Sequence, residues 1–161
     1  MMRFSLAALV TAGLLAAGGV QAQNVSPDGL HLLHPFATPT PPGVPHGAAY
    51  LSISVEDDTP AVLVGARSPV SESVEIHDMA MDDGIMRMRR IEQLEVEPGT
   101  TQVMRPGGGY HLMLMNLVSP LQEGERFPLT LEFAHRGDID VEVEVQTAPE
   151  DSSMGMEHGQ H

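Results

Sequence analysis

The chain reads as a single all-β domain, an antiparallel sandwich or barrel, on three observations. Short runs of alternating apolar and polar residues recur along its middle, and Gly, Pro or Asp stands at most of the breaks between them. No segment carries a convincing 3.6-residue period. Setting aside the first 22 residues leaves about 139, enough for one domain with a moderate core.

Residues 1–22 read as a secretory signal peptide: Arg3 supplies a positive start, Leu6 to Val20 an apolar and small-residue stretch, and Val20-Gln21-Ala22 a cleavage site. The mature chain is then expected to begin at Gln23. With no cysteine in the sequence there is no residue for a lipid anchor, and no later apolar run approaches the roughly 18 residues that a spanning helix needs. A periplasmic, monomeric protein without membrane insertion is expected. Residues 23–46 form an extended lead-in, Pro-rich at Pro39, Pro41, Pro42 and Pro45, and the β domain is expected over 47–147. Within it Leu51, Ile53 and Val55 alternate with Ser52, Ser54 and Glu56. Further strands follow at 62–66, 74–77, 84–90, 101–104, 111–117, 129–133 and 139–145. Asp82-Asp83-Gly84 is a hairpin turn signal, and Gly107-Gly108-Gly109 lets the chain reverse just before His111. Residues 148–161 are polar and patternless and read as a disordered tail.

After loss of Arg3, seven arginines and no lysine face 22 Asp+Glu, a net charge of −15. Such a surface disfavours nucleic acid and anionic membranes, which recruit basic patches. It suits cations or a basic partner, and equally serves solubility. Zero cysteines exclude a disulfide framework and the thiolate that a blue-copper site requires. No nucleophile–base arrangement or nucleotide loop is recognisable, so the chain is not expected to be an enzyme.

What stands out is a set of soft donors. His77-Asp78-Met79 and His111-Leu112-Met113 flank Met86 and Met88. Imidazole and thioether are neutral donors and thioether sulfur is soft, a combination that suits Cu(I) better than Zn²⁺, Ca²⁺ or Mg²⁺. Residues i and i+2 of a strand share a face, so each His-x-Met pair can aim at one ion. Each residue alone admits a plainer role: His77 shares a face with Glu75 and suits a solvated strand, while Met113 and Met115 suit core gap-filling. Met104 is expected in the core, and His31, His34, His46 and His135 at the surface.

The joint spacing is His77, ten residues, Met88, twenty-two residues, then His111-x-Met113. It resembles the H(M)-x10-M-x21-H-x-M motif of the periplasmic copper chaperone family called PCuAC, with one extra residue that the glycine run 107–109 can absorb. The resemblance covers roughly Pro41 to Val145. It implies a cupredoxin-like β-sandwich that binds Cu(I) through His77, Met88, His111 and Met113 in an exposed site. Met79 and Met86 stand as auxiliary donors. In the tail, Met154, Met156, His158 and His161 form a further auxiliary group, with imidazoles suited to Cu(II). The family role implies delivery to an apo acceptor, either cytochrome c oxidase subunit II or a Sco-type thiol protein. Two other readings stand beside it: copper sequestration or tolerance without a dedicated acceptor, and a structural β-sandwich whose Met and His are incidental.

Overall fold

A computed structural model describes residues 24–25 and 29–147; the expected signal segment and the tail bearing Met154, Met156, His158 and His161 lie outside the described residues. Eleven strands follow in chain order: β1 (Asn24–Val25), β2 (Leu30–Ala37), β3 (Gly47–Val55), β4 (Ala61–Arg67), β5 (Ser71–Asp82), β6 (Ile85–Ile91), β7 (Leu94–Val96), β8 (Thr101–Val103), β9 (Gly109–Leu117), β10 (Arg126–Phe133) and β11 (Gly137–Val145). The described residues contain no helix. Each strand expected from alternation is present, and three more appear: β1, β2 and β7.

The alternation is literal where it is strongest. In β10, Phe127, Leu129, Leu131 and Phe133 are buried while Arg126, Pro128, Thr130 and Glu132 face outward, and Val141, Val143 and Val145 of β11 meet them across the pair. The acidic partners point outward, where Arg126 engages Glu142 and Glu144 at 3.2 and 3.0 Å.

Seven strands close a barrel in the order β2-β11-β10-β4-β5-β9-β3, with β3 returning to β2. Two expectations change here. The segment 23–46 is more than a lead-in, because β2 is a barrel strand that buries Leu30, Leu32, Phe36 and Ala37. Its alternation is broken by a register shift between Leu33 and Phe36, with His34 at φ 51, which hides the period in the sequence. The barrel is also not wholly antiparallel, since β2 joins β11 in parallel through Phe36↔Glu144 and Ala37↔Val145.

Two strands leave the barrel wall together. β3 pairs with β9 only through Gly47–Ala49 and then with β8 through Ser52–Ser54. β4 pairs with β7 through Ala61–Leu63 and touches β5 only at Ala66↔Val74. Beyond these points β5 and β9 stay paired to each other, and β6 takes the edge of β5 that β4 has released. The result is a three-stranded tongue. Ile76 and Leu112, opposed to one another and buried, are the last barrel residues before it.

This arrangement predicts that adjacent residues of β9 differ sharply in their structural weight. Leu112→Ala removes a fully buried side chain and costs about 2–5 kcal/mol, whereas Met113→Ala, on the outer face, costs under about 1.5 kcal/mol. Urea unfolding of the two variants, followed by far-UV circular dichroism, measures the difference.

Candidate metal centre

The β5–β9 register sets the site. His77 lies directly opposite His111, Glu75 opposite Met113 and Met79 opposite Gly109. On the other edge, Met79 opposes Met88, Met81 opposes Met86 and His77 opposes Arg90. Directly opposed residues share a face, so Glu75, His77, Met79, Met81, Met86, Met88, Arg90, His111 and Met113 all lie on one side of the sheet. That side is the outer one, since Ile76, Leu112 and Leu114 fill the barrel.

The turn chemistry makes the register possible. Asp83 and Gly84 are a two-residue loop with φ 49 and 77, both positive as a tight hairpin turn requires, and they pair Asp82 with Ile85. At the other approach, Gly107 and Gly109 have φ 91 and 75 and turn the chain into β9. Gly109 also presents no side chain beside Met79, and a Cβ there would meet nothing within 4 Å. The outer face is therefore open next to the two histidines.

The two imidazoles form the floor. His111 is 5% exposed and His77 12% by side chain, with ring centroids 5.5 Å apart in an edge-on arrangement. Tyr50, itself buried and stacked on Phe36 at 5.1 Å, backs His111 at 6.4 Å. The methionines form the rim: Met88 is 46% exposed, Met86 48% and Met81 64%. The expectation of an exposed site is thus corrected to a half-buried one, with its histidines covered, Met79 and Met113 partly buried, and Met88, Met86 and Met81 in solvent. The cause is the exit of β5 and β9 from the barrel wall at this level.

Electrostatics separates the two histidines. Burial pushes the His111 imidazole below its ordinary value, the neighbouring His77 adds to this, and a hydrogen bond to the Gly109 backbone opposes it. Glu75 is held below the ordinary carboxylate range chiefly by its hydrogen bond with His77, against some desolvation, and Arg90 assists at 3.4 Å. An ionised carboxylate only accepts, so His77 Nε2 donates to Glu75 Oε2 at 2.9 Å. The proton of a neutral His77 then sits on Nε2, and the lone pair on Nδ1. That Nδ1 is buried and has no hydrogen-bond partner.

The structure therefore brings His77, His111 and Met113 to one place, with Met88 on the adjacent strand. It places Met79 more centrally than Met88, because Met79 is next to His77 along β5 and beside Gly109 on β9. Glu75, Arg90 and Tyr50 were not singled out as site residues in the sequence. Glu75 was legible in principle from its i, i−2 relation to His77, whereas Tyr50 comes from a different part of the chain. Met115 opposes Ser73, two levels below the histidine pair. Met104 is buried, as expected. His31 pairs with Glu56 at 3.0 Å, and the His46 ring accepts from the Asn116 backbone N–H at 3.2 Å. Among the described residues no group of three or more His, Asp or Glu is placed to hold a metal.

Comparison with known proteins agrees with the architecture. The copper-bound PCuAC domain from PmoF2 is 22% identical over 74% of this chain and 93% of its own, with a TM-score of 0.63, a likeness of fold. Apo-DR1885 from Deinococcus radiodurans is 27% identical, with 93% of this chain and 97% of that one covered and a TM-score of 0.55. The solution structure of CuI-DR1885 gives 28% identity, coverage of 80% and 83%, and a TM-score of 0.53. The cupredoxin-like all-β fold expected from the motif is thus the fold observed. A curated relative named as a lipoprotein, Lxx21020 of Leifsonia xyli subsp. xyli (strain CTCB07), is 30% identical over 100 residues, which span 62% of this chain and 60% of that protein. The model of the LpqE-like lipoprotein family matches residues 30–145, from the first barrel strand to the last, and the chain belongs to that family.

Proposed function

We propose that this protein is an exported Cu(I) metallochaperone, holding one ion between His77 and His111 with thioether from Met113 and from Met88 or its cross-strand neighbour Met79. The observation that carries the reading is the His77↔His111 pair with its orphaned Nδ1. A buried imidazole nitrogen without a partner costs about 1–3 kcal/mol, and a bound metal removes that cost. Two imidazoles sharing one ion at a metal–nitrogen distance of about 2 Å set their centroids roughly 5–6 Å apart, and 5.5 Å lies within that range. The remaining donors on this face are thioethers, which select Cu(I) over zinc and the alkaline earths. The copper-bound relatives of the same fold support the metal, and the lipoprotein names of the family and of Lxx21020 support export.

Glu75 positions the ligand. Metal-bound histidines commonly donate their second N–H to a carboxylate, which fixes the tautomer and ring orientation. Here Glu75 does so from the same strand face, and Arg90 secures it. The layout supports delivery. Neutral ligands offer an ion less attraction than thiolates, and the solvent-facing methionines let an acceptor approach before the histidines release. We therefore assign the protein to copper transfer, with cytochrome c oxidase subunit II or a Sco-type thiol protein as recipient. The exposed rim favours transfer over storage, in which the ligands would be enclosed.

Anaerobic Cu(I) titration with X-ray absorption at the copper edge tests the site. The wild type is expected to show a first shell of both nitrogen and sulfur, and His77→Ala/Met113→Ala to lose most of the affinity while keeping its circular dichroism spectrum. Wild-type affinity in that double variant would remove the assignment. Glu75→Gln is expected to weaken Cu(I) binding about 10–100-fold without changing the scatterers in the first shell, read by competition against a chromophoric Cu(I) chelator. Mixing the Cu(I)-loaded protein anaerobically with apo subunit II is expected to move copper to the thiol-bearing partner, seen as copper eluting with subunit II once the two proteins are separated; sequestration without an acceptor predicts no transfer.

A further inference from the structure

The β5–β6 hairpin has a structural peculiarity that the His-centred site does not use. Every residue of β6 from Ile85 to Arg90 is exposed, and β6 pairs with β5 alone. Its two faces differ completely. One carries Asp78, Asp82, Arg87 and Arg89, joined as Arg87–Asp82 at 3.2 Å and Arg89–Asp78 at 3.3 Å. The other carries Met79, Met81, Met86 and Met88, in two directly opposed pairs, Met79↔Met88 and Met81↔Met86. Exposed strands favour β-branched, aromatic and charged residues. On this arm each of these four outward positions is instead a thioether.

We propose that Met81 and Met86, walled by Met79 and Met88, form a second soft-metal site that takes Cu(I) or another soft monovalent ion independently of the histidines. Opposed residues place their Cβ atoms about 4.5–5.5 Å apart, and the three rotatable bonds of methionine bring two sulfurs onto one ion from that spacing. The site lacks imidazole, so protons do not compete for it. The arginines nearest to it are engaged by carboxylates: Arg87 by Asp82, Arg89 by Asp78, and Arg90, which shares the methionine face, by Glu75. The Met79–Met88 pair stands between this site and the His77–His111 floor. An ion captured at the hairpin tip is therefore one methionine pair away from the imidazoles. The inference shares Met79 and Met88 with the copper site proposed above but does not depend on it.

Silver(I) is the probe, as a soft monovalent ion without redox chemistry, titrated into the full-length protein and followed by methionine methyl and histidine ring NMR. Two phases are expected, a tighter one that moves the His77 and His111 rings and a weaker one that moves the Met81 and Met86 methyls. Met81→Leu/Met86→Leu preserves volume at exposed positions and is expected to keep the first phase while weakening the second, read at Met79 and Met88, by at least about tenfold. His77→Ala is expected to do the reverse. Met81 and Met86 methyls that stay fixed under excess silver(I) overturn the proposal, as does an unchanged second phase in the leucine variant. Failure of the histidine phase alone would count against the first site and leave the second standing.

Discussion

The register of β5 against β9 is the constraint on which the rest depends. Ile76 opposite Leu112 faces the barrel, and His77 opposite His111 faces out. A slip of one residue by either strand would exchange the roles of its own side chains, turning its imidazole into the apolar core and its large aliphatic into solvent. Burial of Ile76, Leu112 and Leu114 therefore fixes the register, and the register in turn places both imidazoles on the same outer level. The site needs no dedicated scaffold of its own. It is the reverse side of the hydrophobic core.

Where the histidines sit along those strands matters as much as which side they face. They lie at the level where β3 and β4 part from β9 and β5 and take β8 and β7 as partners instead. Deeper in the barrel wall, neighbouring strands would crowd the outer face; further along the tongue, nothing would shield the imidazoles. At the transition Tyr50 covers His111 from one flank while Gly109 leaves the space beside Met79 empty. The outcome is a graded environment of covered nitrogen donors and solvent-facing sulfur donors within one sheet face. Such a gradient suits the transfer role proposed above.

The charged residues support this layout without entering it. Glu75 accepts from His77 and is held by Arg90, and the other hairpin charges pair on the far face. The arginine–aspartate pairs on the far face are largely exposed and of small energetic value. Their contribution is geometric: Arg87, Arg89 and Arg90 engage Asp82, Asp78 and Glu75, carboxylates whose hard oxygens would otherwise relax the preference of the thioether face for a soft ion.

Much of this was legible in the sequence, for identifiable reasons. Period-two alternation announced strands wherever one face is buried, and Asp83-Gly84 announced its own turn because few residue pairs tolerate two positive φ values. The donor set was legible because thioether and imidazole are chemically distinctive and because their spacing matches a known motif. β2 was hidden by a bulge that breaks its period, β7 by its length of three residues, and the parallel β2–β11 closure by the fact that pairing partners far apart leave no local trace. By itself, then, the sequence determined most of the strands, the hairpin and a set of candidate metal donors, since these rest on local periodicity and side-chain chemistry. Only the tertiary structure decided that His77 faces His111, that Met79 stands nearer to them than Met88 and that the histidines are covered. Those properties arise from contacts between strands thirty or more residues apart in the chain, and cross-strand register is a property of the closed barrel, absent from any single strand.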